Sequence, residues 1–118
     1  MGGVGAICTE RERQISEEGW TPEHDDEHST GEMAAAASCY ALHSLTFTGD
    51  VAAYRSAPPP ENWPWDAEWW KPKNPQRDLV RAGALIAAEI DRVDRDRARR
   101  YAEVDQGPSR HIGFNHFG

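Results

Sequence analysis

Apolar residues recur at helical spacing in two long stretches of this chain. In the first, Met33, Ala36, Ala37, Tyr40 and Ala41 share one face, and all but Met33 and Tyr40 are small. A face of alanines lets helix axes approach closely, so this helix is expected to pack tightly on another alanine-rich one. Ser29 and Glu32 precede it with the S-x-x-E spacing of a capping box, and the helix is expected to end near His43. In the second stretch, Leu79, Gly83, Ile86, Ile90 and Val93 form a stripe of alternating four- and three-residue steps, widened by Val80, Ala84 and Ala87. That stripe is the expected core face. Asn74-Pro75 reads as its cap and first residue, because proline lacks the N–H that this position would leave unpaired. Beyond Val93 the alternating Asp and Arg residues continue the helix as a solvated rod that Gly107-Pro108 ends.

A third helix is expected from Ala6 to Glu18, charged throughout, with Ile7 and Ile15 as its large apolar positions and Gly19 as its stop. Thr21-Pro22 should then turn the chain rather than extend a helix. Between residues 44 and 73 the helical period is lost. Leu45-Thr46-Phe47-Thr48 alternates as a short strand would, Gly49-Asp50 is a turn signal, and Val51 to Tyr54 reads as either a returning strand or one helical turn. Pro58-Pro59-Pro60 forces an extended stretch that leads into four of the five tryptophans, Trp63, Trp65, Trp69 and Trp70. The expected fold is therefore mostly α: one compact domain over residues 1–118, about three helices, a long Trp/Pro-rich connection and, as an option, one short β-hairpin. Residues 1–5 should fray. Residues 104–118 form a C-terminal tail whose Phe114 and Phe117 suit docking on the chain's own core or on another copy.

Composition narrows the partners. Only 38% of the 118 residues are apolar and many are alanine, so core volume has to come from Trp, Tyr, Leu and Ile. A net charge of −7 argues against a nucleic-acid partner, whose phosphates are bound by clustered Lys and Arg. No apolar run approaches the ~20 residues of a membrane span, and residues 1–9 lack the pattern of a signal peptide. Cys8 and Cys39 have no CxxC spacing and read as reduced thiols of a cytoplasmic protein.

Three constellations carry candidate chemistry. His24-Asp25-Asp26-Glu27-His28 offers His24, Asp25, Asp26 and His28 as ligands to a divalent ion if a helix puts the two histidines on one face. The same carboxylates read equally as helix-dipole partners or turn anchors. Glu32, Glu89 and Asp91 would form a magnesium-binding cluster if their helices met, an arrangement that resembles the all-helical nucleoside-triphosphate pyrophosphatases of the MazG type. Ser38, Cys39 and His43 lie close on one helix but lack an orienting third group. The tryptophan block has two readings that coexist. As core, its rings fill the space that alanines leave. As a site, Trp20, Trp65, Trp69 and Trp70 offer faces to a flat base, at about 1–3 kcal/mol per stacked base. Lys71, Lys73, Arg77 and Arg81 then offer charge to a phosphate. No nucleophile motif, glycine-rich phosphate loop or cofactor signature is present, and no cofactor is expected.

Two blocks, Glu10 to Ala41 and Trp63 to Arg92, resemble a family of small uncharacterised proteins of bacteriophages and prophages, through GWTPEHDDEH and WPWDAEWWKP. The residues Gly19, Trp20, Thr21, Asp25 and Asp26 also resemble the ryanodine-receptor repeat domain, although the basic and proline positions that follow the acidic pair there are absent here. The second resemblance implies an aromatic-walled pocket for nucleotide-like ligands. Together they imply a phage-derived, homo-oligomeric sponge that sequesters a cyclic nucleotide or an ADP-ribose derivative without catalysis, against host defence. Two alternatives stand beside it: a metal-dependent nucleotide pyrophosphohydrolase, and an acidic protein-interaction inhibitor such as an anti-CRISPR.

Overall fold

A computed structural model describes residues 2–105 of the chain, which are mostly helical. Five α-helices follow one another: α1 (Gly3–Glu18), α2 (Pro22–Asp26), α3 (Glu32–His43), α4 (Val51–Ser56) and α5 (Pro75–Asp105), with 3-10 turns at Ser44–Thr46 and Ala67–Trp69. The other elements pack on α5, chiefly α3 and α1. Among the described residues no helix is long and apolar enough to cross a membrane. Gly107-Pro108, Phe114 and Phe117 lie outside the described residues.

Local chemistry sets most boundaries. Gly19 takes φ 75°, the left-handed conformation that closes a helix, and the carbonyl of Gln14 accepts N–H groups at this end. Thr21-Pro22 starts a helix instead of merely turning the chain. The Thr21 hydroxyl accepts the His24 N–H at 3.3 Å, and Pro22 occupies the first turn. The capping box expected at Ser29 does not form. Gly31, at φ 88°, is the residue before α3, and the Glu32 carboxylate turns back to accept the Thr30 N–H at 2.9 Å. Asn74 caps α5 as its sequence implies, accepting the Arg77 N–H at 2.8 Å.

The alternation at Leu45–Thr48 forms no strand. Thr46 donates its hydroxyl to the His43 carbonyl at 2.7 Å, tightening a 3-10 turn, and Asp50 accepts the Ala53 N–H at 3.0 Å, which caps α4. The helical option at Val51–Tyr54 is thus the one the chain adopts.

The core gathers Met33, Ala36, Ala37, Cys39 and Tyr40 of α3, Ala82, Leu85 and Ala88 of α5, and Trp70 from the connection. Here the expectation for α5 is corrected. The large residues of the stripe stay half-exposed, with Leu79 49%, Ile86 48%, Ile90 54% and Val93 38% exposed, while Ala84 at its widened edge is buried. Helix α3 instead sits on the neighbouring alanine face, where small side chains admit Tyr40 and Trp70. Helix α1 packs closely on this helix at Gly83: a Cβ there would lie 2.5 Å from Ile7 Cδ1, so glycine is what lets α1 approach.

Candidate functional site

The tryptophan connection has little regular structure, yet side-chain bonds pin it at both ends. Asp78, fully buried in the first turn of α5, accepts the Tyr54 hydroxyl at 2.7 Å and the Lys73 N–H at 3.1 Å. The Tyr40 hydroxyl receives Arg81 at 3.0 Å and the Lys71 N–H at 3.4 Å. The Trp70 indole donates to the Ala57 carbonyl and that of Trp63 to the Asp66 carbonyl, each at 3.0 Å. Burial pushes the Tyr40 and Tyr54 hydroxyls above the usual tyrosine range, and at Tyr54 the Asp78 carboxylate that accepts its hydrogen bond adds to the shift.

These anchors assemble a continuous aromatic band. Trp20 stacks on His24, which meets His28, then Trp65, Trp63 and Tyr40 in sequence, with Tyr40 stacked on Trp70 at 4.9 Å between ring centroids. The Arg81 guanidinium lies 4.9 Å from the Tyr40 ring centroid, a cation–π contact that holds it at the band's edge. Trp70 is thereby corrected from ligand contact to core. Its ring is 7% exposed, enclosed by Tyr40, Trp63 and His43.

Beside the band lies a buried ionic knot. Glu10, 2% exposed, accepts Arg13 through both oxygens at 2.9 Å, Gln14 at 3.3 Å, and Arg77 across from α5. Burial alone would raise the Glu10 carboxyl, but the hydrogen bonds from Arg13 and then Arg77 prevail and hold it below its ordinary value. Asp25, fully buried, pairs with Arg11 and lies 3.2 Å from His24 Nδ1. Asp26 accepts Arg95 at 2.8 Å and Arg99 at 3.3 Å from α5, which lowers its carboxyl and staples α2 to the long helix.

Band and knot enclose a cleft of about 1010 Å³. Of the eight residues assigned to ligand binding from sequence, Trp20, Trp65, Trp69, Lys71, Lys73, Arg77 and Arg81 line it; Trp70 does not. Five cations face it, with Arg13 joining the four assigned, against the four carboxylates of Glu10, Glu18, Asp25 and Asp66. The buried carboxylates are already answered, Asp25 by Arg11 from outside the lining. Among the described residues, no carboxylate lies within ion-pair distance of Lys71 or Lys73. Trp69 is 58% exposed, and the Lys71 ammonium stands 5.7 Å over its ring. The Trp65 indole N–H is buried without a partner among the described residues. A second depression of about 800 Å³, between α1 and the start of α5, shares Glu10, Arg13, Lys73 and Arg77 but contains no aromatic ring.

Sequence reasoning missed Tyr40, Trp63, Arg13 and Glu10 as parts of this wall. Glu10 and Arg13 carry a visible signal, an acid and a base three residues apart on a helix, but nothing local says that the pair is buried. Other candidates separate. Asp25 pairs with Arg11 of α1 and Asp26 with Arg95 of α5, so the acidic pair is divided between different arginine partners. Among the described residues no three His, Cys, Asp or Glu side chains converge as a metal site would need. Glu32 bonds near His28 and Thr30, while Glu89 is held by Arg92 at 2.8 Å. Ser38 donates to the Ala35 carbonyl, Cys39 to Asn62, and the His43 ring bonds the Tyr54 carbonyl, so the three are occupied separately. Burial raises the Cys39 thiol, the opposite of what a nucleophile requires.

No protein-family model, curated protein or solved structure matches the chain. The likenesses to phage proteins and to ryanodine-receptor repeats therefore rest on the quoted residues themselves.

Proposed function

We propose that the cleft binds a flat, anionic ligand of the nucleotide type and holds it without turnover. The observation that carries this reading is the exposed Trp69 ring at the cleft, beside Lys71 and Lys73, which have no carboxylate partners among the described residues. In a protein of net charge −7, the two lysines left without a carboxylate partner among the described residues give this aromatic-walled cleft a local site for an anion. The base stacks on Trp69 with Trp20 and Trp65 along the wall, and Lys71 leaves the ring face to meet a phosphate with Lys73 and Arg77. Arg81, fixed by Tyr40, orients the floor.

The phage resemblance gives such a binder a biological role as a cytoplasmic sponge for a cyclic nucleotide or ADP-ribose-derived immune signal, effective through affinity and abundance alone. Incubating the pure protein with a panel of these nucleotides, with and without magnesium, tests it by chromatography of the free, heat-released and converted fractions. The expected result is loss of one free nucleotide and its recovery unchanged on boiling. Magnesium-dependent products would replace the sponge by the pyrophosphohydrolase alternative. No depletion of any nucleotide, with a salt-sensitive complex to a basic host protein, would replace it by the interaction inhibitor.

A further inference from the structure

The cleft and the second depression meet along shared rows of two helices. On α1, Glu10, Arg13, Gln14 and Glu18 face the cleft, and Ala6, Thr9, Glu10, Arg13 and Ser16 face the depression. On α5, Arg77, Arg81 and Leu85 face the cleft, and Gln76, Arg77 and Val80 the depression. Residues three and four apart form rows along a helix, so the two hollows lie against adjacent rows whose common members are Glu10, Arg13 and Arg77. These three are the ionic knot, in which Arg77 of α5 reaches Glu10 of α1. The knot is therefore a ridge between two compartments, and Lys73 lines both.

The ridge turns its cations outward. Glu10 is sealed beneath it, whereas about a third of the Arg13 and Arg77 side chains stays in solvent. Among the described residues the Arg77 guanidinium bonds only Glu10, through Nη2, which leaves its other nitrogens to an outside acceptor. Lys73, without a carboxylate partner, stands beside it.

The compartments differ in chemistry. All the rings belong to the cleft. The residues that line only the depression include the carboxylates of Glu12 and Glu17 and no cation. Glu17 stands 3.9 Å from Arg13, and Glu12 has no ion-pair partner among the described residues. Around them are the neutral hydrogen-bonding side chains of Thr9, Ser16, Asn74 and Gln76. A second base would find no ring to stack on here, and a further phosphate would meet like charge. A sugar meets neither obstacle: its hydroxyls donate to carboxylates, as ribose hydroxyls do in dinucleotide sites, and accept from side-chain amides.

We propose that the ligand is a nucleoside diphosphate bearing a further sugar, an assignment that rests on the cleft taking a base and phosphate. The base lies in the cleft, the diphosphate crosses the ridge on Lys73 and Arg77, and the terminal sugar enters the second depression, held by Glu12 and Glu17. At about 1010 and 800 Å³, each compartment is of the size that holds small molecules. A cyclic dinucleotide, with two bases and no terminal sugar, lacks this order of groups.

Titration calorimetry of the full chain with ADP, ADP-ribose and cyclic di-AMP tests the sugar assignment apart from the base site. Stacking on an indole tolerates any base, so adenine serves as the common probe. ADP-ribose should bind at least about tenfold more tightly than either of the others, although ADP carries the greater negative charge. The double variant Glu12→Gln/Glu17→Gln changes two exposed side chains, so Tm should hold while ADP-ribose falls to the affinity of ADP. Carboxylates that merely repelled anions would have the opposite sign, and both ligands would then bind the variant more tightly. That result, an unchanged affinity of the variant for ADP-ribose, or binding of ADP or cyclic di-AMP as tight as that of ADP-ribose would each overturn the sugar assignment and leave the base site standing. Failure of all three to bind would overturn both.

Discussion

On one side of α5, Ala82, Ala84, Leu85 and Ala88 are sealed from water; on the other, Leu79, Ile86, Ile90 and Val93 are from 38% to 54% exposed. The face with less apolar surface of its own is the one that is buried. Partner shape decides this. Alanines leave room for Met33, Tyr40 and Trp70 to fill the interior from other elements, and large rings supply more buried area than the Leu/Ile stripe could. The sealed side also carries the chemistry, because the rings and cations that line the cleft are positioned from it.

The contrast is broken most severely at Trp70. Replacing it with alanine should destabilise the fold by about 3–5 kcal/mol in urea unfolding, since its buried ring abuts Tyr40, Trp63 and His43. A loss under about 1 kcal/mol would show that the interior is organised elsewhere. Next comes the ionic knot. Glu10→Gln should lower stability at neutral pH by about 1–3 kcal/mol by removing a buried charge from Arg13 and Arg77. It should also change the acid limb. The folded carboxyl lies below its ordinary value of 4.5, so the unfolded chain binds more protons in acid. The Glu10 contribution is full above about 4.5 and is lost as pH falls through the lower folded value. Thermal melts from neutral pH down to acid should therefore slope less steeply in the variant than in wild type; equal slopes would remove Glu10 from the acid response.

Trp69→Ala addresses function with little effect on the fold. With 58% of that residue in solvent, Tm should hardly change, while affinity for the nucleotide identified by the depletion assay should fall by roughly tenfold to a hundredfold. Titration calorimetry showing unchanged affinity would take Trp69 out of the site. The smallest effect is expected on the open face of α5: Ile90→Ala should shift unfolding by less than about 0.5 kcal/mol. A shift of about 2 kcal/mol or more would mean that the stripe is packed within a single chain.

Legibility differed by residue. Gly19 and Asn74 were readable because a glycine stop and an asparagine cap act within a few residues of themselves. Ser29 misled, since Gly31 two positions later took the left-handed turn that starts α3. Leu45–Thr48 misled because alternation in four residues cannot outweigh a local hydroxyl bond and an aspartate cap. The tryptophans and the cations beside them were legible as composition, and seven of the eight residues named from sequence line one cleft. That Trp70 turns inward while Trp69 turns outward was not legible, because neighbouring residues in an irregular segment have no fixed period.

The chain's own order of residues determined that it would be helical, that a tryptophan-rich connection would precede the last helix, and where Asn74 would start that helix, because each follows from forces acting over one or two turns. Tertiary structure alone decided which face of α5 would be covered, which carboxylates would meet which arginines, and which indoles would remain open. Those outcomes depend on the fit between segments as much as 73 residues apart, as between Asp26 and Arg99, and burial is a property of the assembled surface instead of any stretch within it.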